Sequence, residues 1–78
     1  MEHYYYNRLN KSQQAAYHAM KTGLQALAPS FQIPRLEAKE LADIYFCLRL
    51  DCPEIFYTVK FSYRYFKESG NAEMVPEY

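Results

Sequence analysis

Tryptophan is absent from this chain, and glycine, histidine and cysteine occur only twice each. No stretch approaches the ~18 consecutive apolar residues that a membrane-spanning helix needs. The opening MEHYYYNRLN lacks the basic start and apolar centre of a secretory signal. An excess of charge is missing too: nine Lys and Arg balance nine Asp and Glu. A neutral chain has no electrostatic claim on nucleic acid or on an anionic membrane, so neither is expected as a partner. Cys47 and Cys52 have no second pair beside them. A zinc site wants four ligands at tight spacings, and a secreted disulfide framework of this length shows more cysteines. Both therefore read as free thiols of a reducing compartment, and the expectation is a cytoplasmic protein with no metal and no cofactor. Gly23 and Gly70 are isolated, which rules out a glycine-rich phosphate loop.

What the chain has instead is aromatic bulk, nine tyrosines and five phenylalanines among 78 residues. That length makes one small domain with a single core. Residues 10 to 28 read as a helix. Asn10 and Gln13 form a capping-box spacing, and Ala16, Tyr17, Met20, Gly23, Leu24 and Leu27 share one arc. Pro29 stops it. Phe31 and Ile33 suit a short strand closed by Pro34. A second helix is expected over about Glu37 to Leu50, with Leu41, Ile44, Tyr45 and Leu48 facing a core. Phe46 and Leu50 point the opposite way. A helix apolar on two sides is covered on two sides, by neighbouring tyrosines or by another protein. From Ile55 to Phe66 apolar odd positions alternate with Thr58, Lys60, Ser62 and Arg64, the pattern of a strand with one dry face. KESGN supplies a turn, and residues 72 to 78 return as the second strand of a hairpin, an edge strand because Pro76 cannot donate to a ladder. The fold class that results is α+β, two helices packed on a small antiparallel sheet containing a C-terminal β-hairpin.

The stretch LRLDCPEIF raises the question of a nucleophile at Cys52. A working thiolate needs a base or a positive environment. Asp51, Glu54 and the negative end of the preceding helix offer the reverse. Asp51, Pro53, Glu54 and Phe56 read instead as a structural corner where helix gives way to strand, since the residue before proline is driven out of helical geometry. His3 and His18 are lone, and Glu37, Glu40 and Asp43 fall on an arc where solvated charge is the default. The tyrosines admit three readings: a floor for the core with hydroxyls at its rim, a protein interface, or a base-stacking surface with weak support from Lys60, Arg64 and Lys67. Phe46, Leu50, Tyr57, Tyr63, Tyr65 and Tyr78 are the candidate interaction surface.

YYYNRLNKSQQAAYHAM, then LRLDCPEIFY and FSYRY followed by VPEY, together resemble the N-terminal region of bacterial transglutaminase-like proteins. The Asp51, Pro53, Glu54, Phe56 pattern is the distinctive part, and the likeness spans nearly the whole chain. In that family such a stretch precedes a papain-like domain that carries a Cys-His-Asp triad. No position here matches the triad's motifs. The resemblance thus implies an accessory module without catalytic residues of its own, partnered by an adjoining transglutaminase-like domain. The alternative is a free-standing interaction or homodimerisation domain that uses its edge strand and tyrosines.

Overall fold

A computed structural model describes residues 4–65 and 70–78, and of Tyr4 and Tyr65 the backbone alone. Those residues form α1 (Tyr4–Asn7), α2 (Lys11–Gln25), β1 (Phe31–Pro34), α3 (Ala38–Asp51), α4 (Pro53–Thr58), β2 (Lys60–Tyr65) and β3 (Asn71–Glu77). The sheet is antiparallel with strand order β1-β3-β2, so the fold is α+β as the sequence pattern predicts. His3 and most of the KESGN turn lie outside the described residues, as does the Phe66 end of the expected strand.

Helix α2 begins where the capping box puts it. The Asn10 side chain accepts the Gln13 N–H at 2.8 Å, and Gln13 Oε1 accepts the Asn10 N–H at 3.0 Å. Ala16, Tyr17, Met20, Gly23 and Leu24 are buried along its inner face. Leu27 is a correction: it lies beyond the helix and is 69% exposed. The Leu27 N–H bonds to the Leu24 carbonyl and the Ala28 N–H to the Gly23 carbonyl, a Schellman closure that turns Leu27 to φ 56°. The closure claims the backbone, and the side chain leaves the apolar arc.

Helices α2 and α3 run side by side in the same direction. Gln13 reaches Glu40 and Asp43 at one end, and Lys21 meets Asp51 at 3.8 Å at the other. Their shared core is Ala16, Tyr17, Met20, Leu41, Ile44, Cys47 and Leu48, closed from the sheet by Ile33, Ala72 and Met74. On β2 the odd residues Phe61 and Tyr63 are the ones packed against this core, and the ring of Tyr45 stacks on Phe61 at 5.8 Å. The opposite face of the sheet carries Lys60, Ser62, Arg64, Asn71, Glu73 and Glu77.

Two further expectations are corrected. Residues 53–58 are helical, not the start of a long strand. Cys52, held at φ −134° and ψ 62°, ends α3, and Pro53 then occupies the first position of a new helix, where its missing N–H costs nothing and its fixed φ is suitable. Glu54 sits in the first turn, and the Phe56 N–H bonds to the Cys52 carbonyl at 2.9 Å. The corner formed by Asp51, Pro53, Glu54 and Phe56 therefore joins helix to helix. The strand starts only at Lys60, after β-branched Thr58 and Val59.

The second correction is that β3 is the central strand, flanked on both sides despite Pro76. The Arg35 N–H bonds to the Gly70 carbonyl, in the register that sets Ile33 opposite Ala72 and Phe31 opposite Met74. Every second pair of an antiparallel ladder exchanges bonds, so the even residues of β3 turn their backbone groups toward β1. Pro76 therefore directs its missing N–H past the end of β1, where no ladder bond is due. Pro34, by the same alternation, faces away from β3. Pairing with a second copy through residues 72–78 is closed off, and the outer strands are β1 and β2.

Candidate functional site

Two places on the surface gather the residues singled out by sequence. The first is the α3–α4 corner. Leu50, in the last turn of α3, is 55% exposed, and Tyr57 on α4 is 70% exposed. Phe56 turns inward from the same helix to pack with Tyr45 and Phe61, while its ring edge supports Tyr57 at 5.3 Å. Cys52 lies in this corner, half-buried in a shallow apolar depression lined by Lys21, Leu24, Leu48, Ile55 and Phe56. No histidine is among those neighbours. Asp51 is held near Lys21, so it braces α3 against α2.

The second is a groove of about 300 Å³ between α1 and α3, lined by Tyr5, Arg8, Leu9, Asp43, Phe46 and Cys47. Here the outward stripe of α3 finds part of its cover within the chain. Tyr5 meets the Phe46 ring edge-on at 4.8 Å, and the Arg49 guanidinium lies 5.1 Å from the same ring. Cys47 is buried at the groove's inner side, and burial, followed by the charge of Asp43, pushes its thiol above the usual range. Asp43 accepts a long bond, 3.4 Å, from Gln13 Nε2. Glu40 is drawn into the same helix ends. Its carboxylate accepts the Glu37 N–H at 3.0 Å and the Asn10 amide at 3.1 Å, and these two donors hold its carboxyl below the ordinary carboxylate range. Asp43 remains exposed, as the default for this arc has it, and Glu40 is half-buried; in addition both take part in joining the N-terminal ends of α2 and α3.

The remaining sequence candidates divide by what their hydroxyls reach. Tyr63 accepts the Leu36 N–H at 3.1 Å and ties β2 to the segment between β1 and α3. Tyr78 donates to the Ala28 carbonyl at 2.9 Å and so closes over the end of α2, though 56% of its surface stays open. Tyr65 stands opposite Ala72 in β2, and its side chain is not among the described ones. His18 pairs with the Tyr6 hydroxyl at 2.6 Å inside a cluster with Tyr17, which fastens α1 to α2. Sequence reasoning missed Tyr5, Arg8 and Leu9 as groove residues. Their proximity to α3 is a contact across more than thirty positions, which local sequence pattern does not carry.

Both thiols are free. Among the described residues no cluster of three His, Cys, Asp or Glu side chains is arranged to hold a metal ion, and no helix is long and apolar enough to cross a membrane. The chain matches no protein-family model, no curated protein and no solved structure.

Proposed function

We propose that this chain is a non-catalytic docking module that contacts a partner protein through the α3–α4 corner. The observation that carries the reading is the exposure of Leu50 on α3 and Tyr57 on the adjoining α4, large apolar side chains left 55% and 70% exposed on a chain whose core already buries Leu48 and Ile44. Tyrosine is enriched at protein interfaces because it supplies broad contact area and a polar tip. The cysteines favour a structural role. Cys47 is buried with its thiol held neutral, and Cys52 sits against aliphatic and aromatic side chains with acidic residues on both sides. The partner implied by the sequence resemblance is a transglutaminase-like domain, whose substrate access the module would help to gate.

Association measured between this segment and such a catalytic region, expressed separately, tests the reading. A complex weakened about tenfold or more by Leu50→Ser with Tyr57→Ser is expected. No binding at high micromolar concentration removes stable docking. A second reading, a homodimer, is favoured by the position of β2 as the longer outer strand, since an open sheet edge is a template for pairing. It predicts a concentration-dependent sedimentation coefficient for the segment alone, unaffected by the Leu50 and Tyr57 substitutions.

A further inference from the structure

The bond between Tyr6 and His18 has a chemistry that docking at the α3–α4 corner does not use. With tryptophan absent, tyrosine is the aromatic side chain that gives up an electron most readily. Removing the electron alone leaves a strongly acidic radical cation, so oxidation is easiest where a base stands ready for the hydroxyl proton. At Tyr6 that base is in contact, with the hydroxyl oxygen 2.6 Å from Nε2 of His18. A neutral imidazole with its hydrogen on Nδ1 carries the lone pair to receive the proton. His18 is also exposed, so the imidazolium has water to pass the proton to. The hydroxyls of Tyr63 and Tyr78 meet backbone groups of Leu36 and Ala28 instead, and a peptide carbonyl accepts a hydrogen bond without taking the proton. The ring of Tyr17 lies 5.1 Å from that of Tyr6, but the Lys21 ammonium stands 5.8 Å from its centroid. A cation over a ring face opposes loss of an electron from that ring, so the vacancy stays on Tyr6.

We propose that Tyr6 is a site of one-electron oxidation and radical modification, with His18 as its proton acceptor. A one-electron acceptor, an oxidising radical or a high-valent metal species, takes the electron from the Tyr6 ring. The O–H bond breaks in the same step, and the proton forms an N–H bond at Nε2 of His18. The products are the reduced oxidant, a neutral tyrosyl radical and an imidazolium, which returns its proton to water. The tyrosyl radical then joins a second radical at a ring carbon beside the oxygen, and the hydrogen on that carbon leaves as a proton. Nitration, or coupling to another phenol, thus falls first on Tyr6 among the tyrosines. Exposure alone would direct the same oxidant to Tyr57.

Photogenerated ruthenium(III) tris-bipyridyl, a one-electron acceptor, applied to the whole chain at neutral pH with a nitrone spin trap, tests this. Tandem mass spectrometry maps the adducts, and fragment ions separate Tyr6 from Tyr5. Capture at Tyr6 is expected to exceed that at Tyr57 and Tyr78, although these are 70% and 56% exposed. His18→Gln keeps a hydrogen-bond acceptor but removes the base. It is expected to lower capture at Tyr6 about tenfold or more and to leave capture at Tyr57 unchanged. A substitution that merely freed α1 would open Tyr6 and raise its capture, so a loss isolates the proton transfer. The proposal is overturned if Tyr57 or Tyr78 leads in the parent chain, or if capture at Tyr6 is equal or greater in His18→Gln. The ranking in the parent chain does not depend on whether the variant folds. Because Tyr6 and His18 join α1 to α2, away from the α3–α4 corner, failure here leaves the docking reading standing, and failure of docking leaves this pair as it is.

Discussion

At the scale of single residues, backbone geometry and charge decide more than side-chain size. Leu27 occupies the left-handed region at φ 56°, which costs a side-chain-bearing residue roughly 1–2 kcal/mol. Glycine avoids that cost, and an exposed leucine gives up little buried area when removed. Leu27→Gly is therefore expected to stabilise the chain by about 1 kcal/mol, seen as a rise of about 4–8 °C in Tm by calorimetry; a fall would refute the closure. Glu40 yields a pH-dependent expectation. Its carboxyl is lowered from 4.5 chiefly by the Glu37 N–H and next by the Asn10 amide. A folded pKa below the unfolded one means that the contribution is complete above the ordinary carboxylate range. It is lost as pH falls through the folded value. Glu40→Gln keeps an acceptor for the Glu37 N–H but removes the charge. In urea melts the stability gap between parent and variant is expected to narrow as pH drops below 4.5, and a gap constant with pH contradicts the assignment.

At the scale of elements, each helix is fixed by contacts on two sides. Alanine normally improves on glycine inside a helix by about 1 kcal/mol. At Gly23 the sign reverses, because an added Cβ would come within 2.9 Å of three ring atoms of Phe31. Gly23→Ala is expected to destabilise by about 1–3 kcal/mol. Adding Phe31→Leu should recover part of that loss in a double-mutant cycle. Gln13 isolates the bond between helices. Gln13→Glu retains the acceptor that closes the capping box but deletes the donor to the Glu40 carbonyl and sets a carboxylate near Asp43. A loss of about 1–3 kcal/mol at neutral pH is expected, shrinking in acid, by chemical denaturation. An unchanged midpoint means that the lateral bond contributes nothing. The capping box itself was legible from the spacing of Asn10 and Gln13. Its second use was not, because the partner lies twenty-seven positions away.

At the scale of the whole molecule, one cluster carries the fold. Met20, Ile44, Leu48 and Met74 are the largest side chains with essentially no exposure, and they come from two helices and the central strand. Leu48→Ala is expected to cost about 2–5 kcal/mol. Small domains have only ~5–15 kcal/mol in total. The variant should therefore melt far below the parent, by circular dichroism, and a shift of only a few degrees would mean that Leu48 is less central than its burial implies. The exposure of the candidate interaction residues was legible in part. Leu50 and Tyr57 do stand open, whereas Phe46, Tyr63 and Tyr78 found partners inside the chain. Sequence periodicity reports which side of an element is apolar, and it does not report what covers that side.

The sequence alone determined what depends on neighbours a few positions apart: the start of α2 at its capping box, the inner faces of α2 and α3, and the dry parity of Phe61 and Tyr63. The small apolar core and the balanced charge follow equally from composition. Tertiary structure decided the rest. Pro53 could end one helix or begin another, and helix α4 prevailed where Phe56 could close the aromatic cluster with Tyr45 and Phe61. Pro76 could mark an edge or the unbonded side of a central strand, and the placement of β1 beside β3 settled which. Each of these choices depends on groups distant in sequence brought within a few ångströms, and local pattern holds no information about that distance.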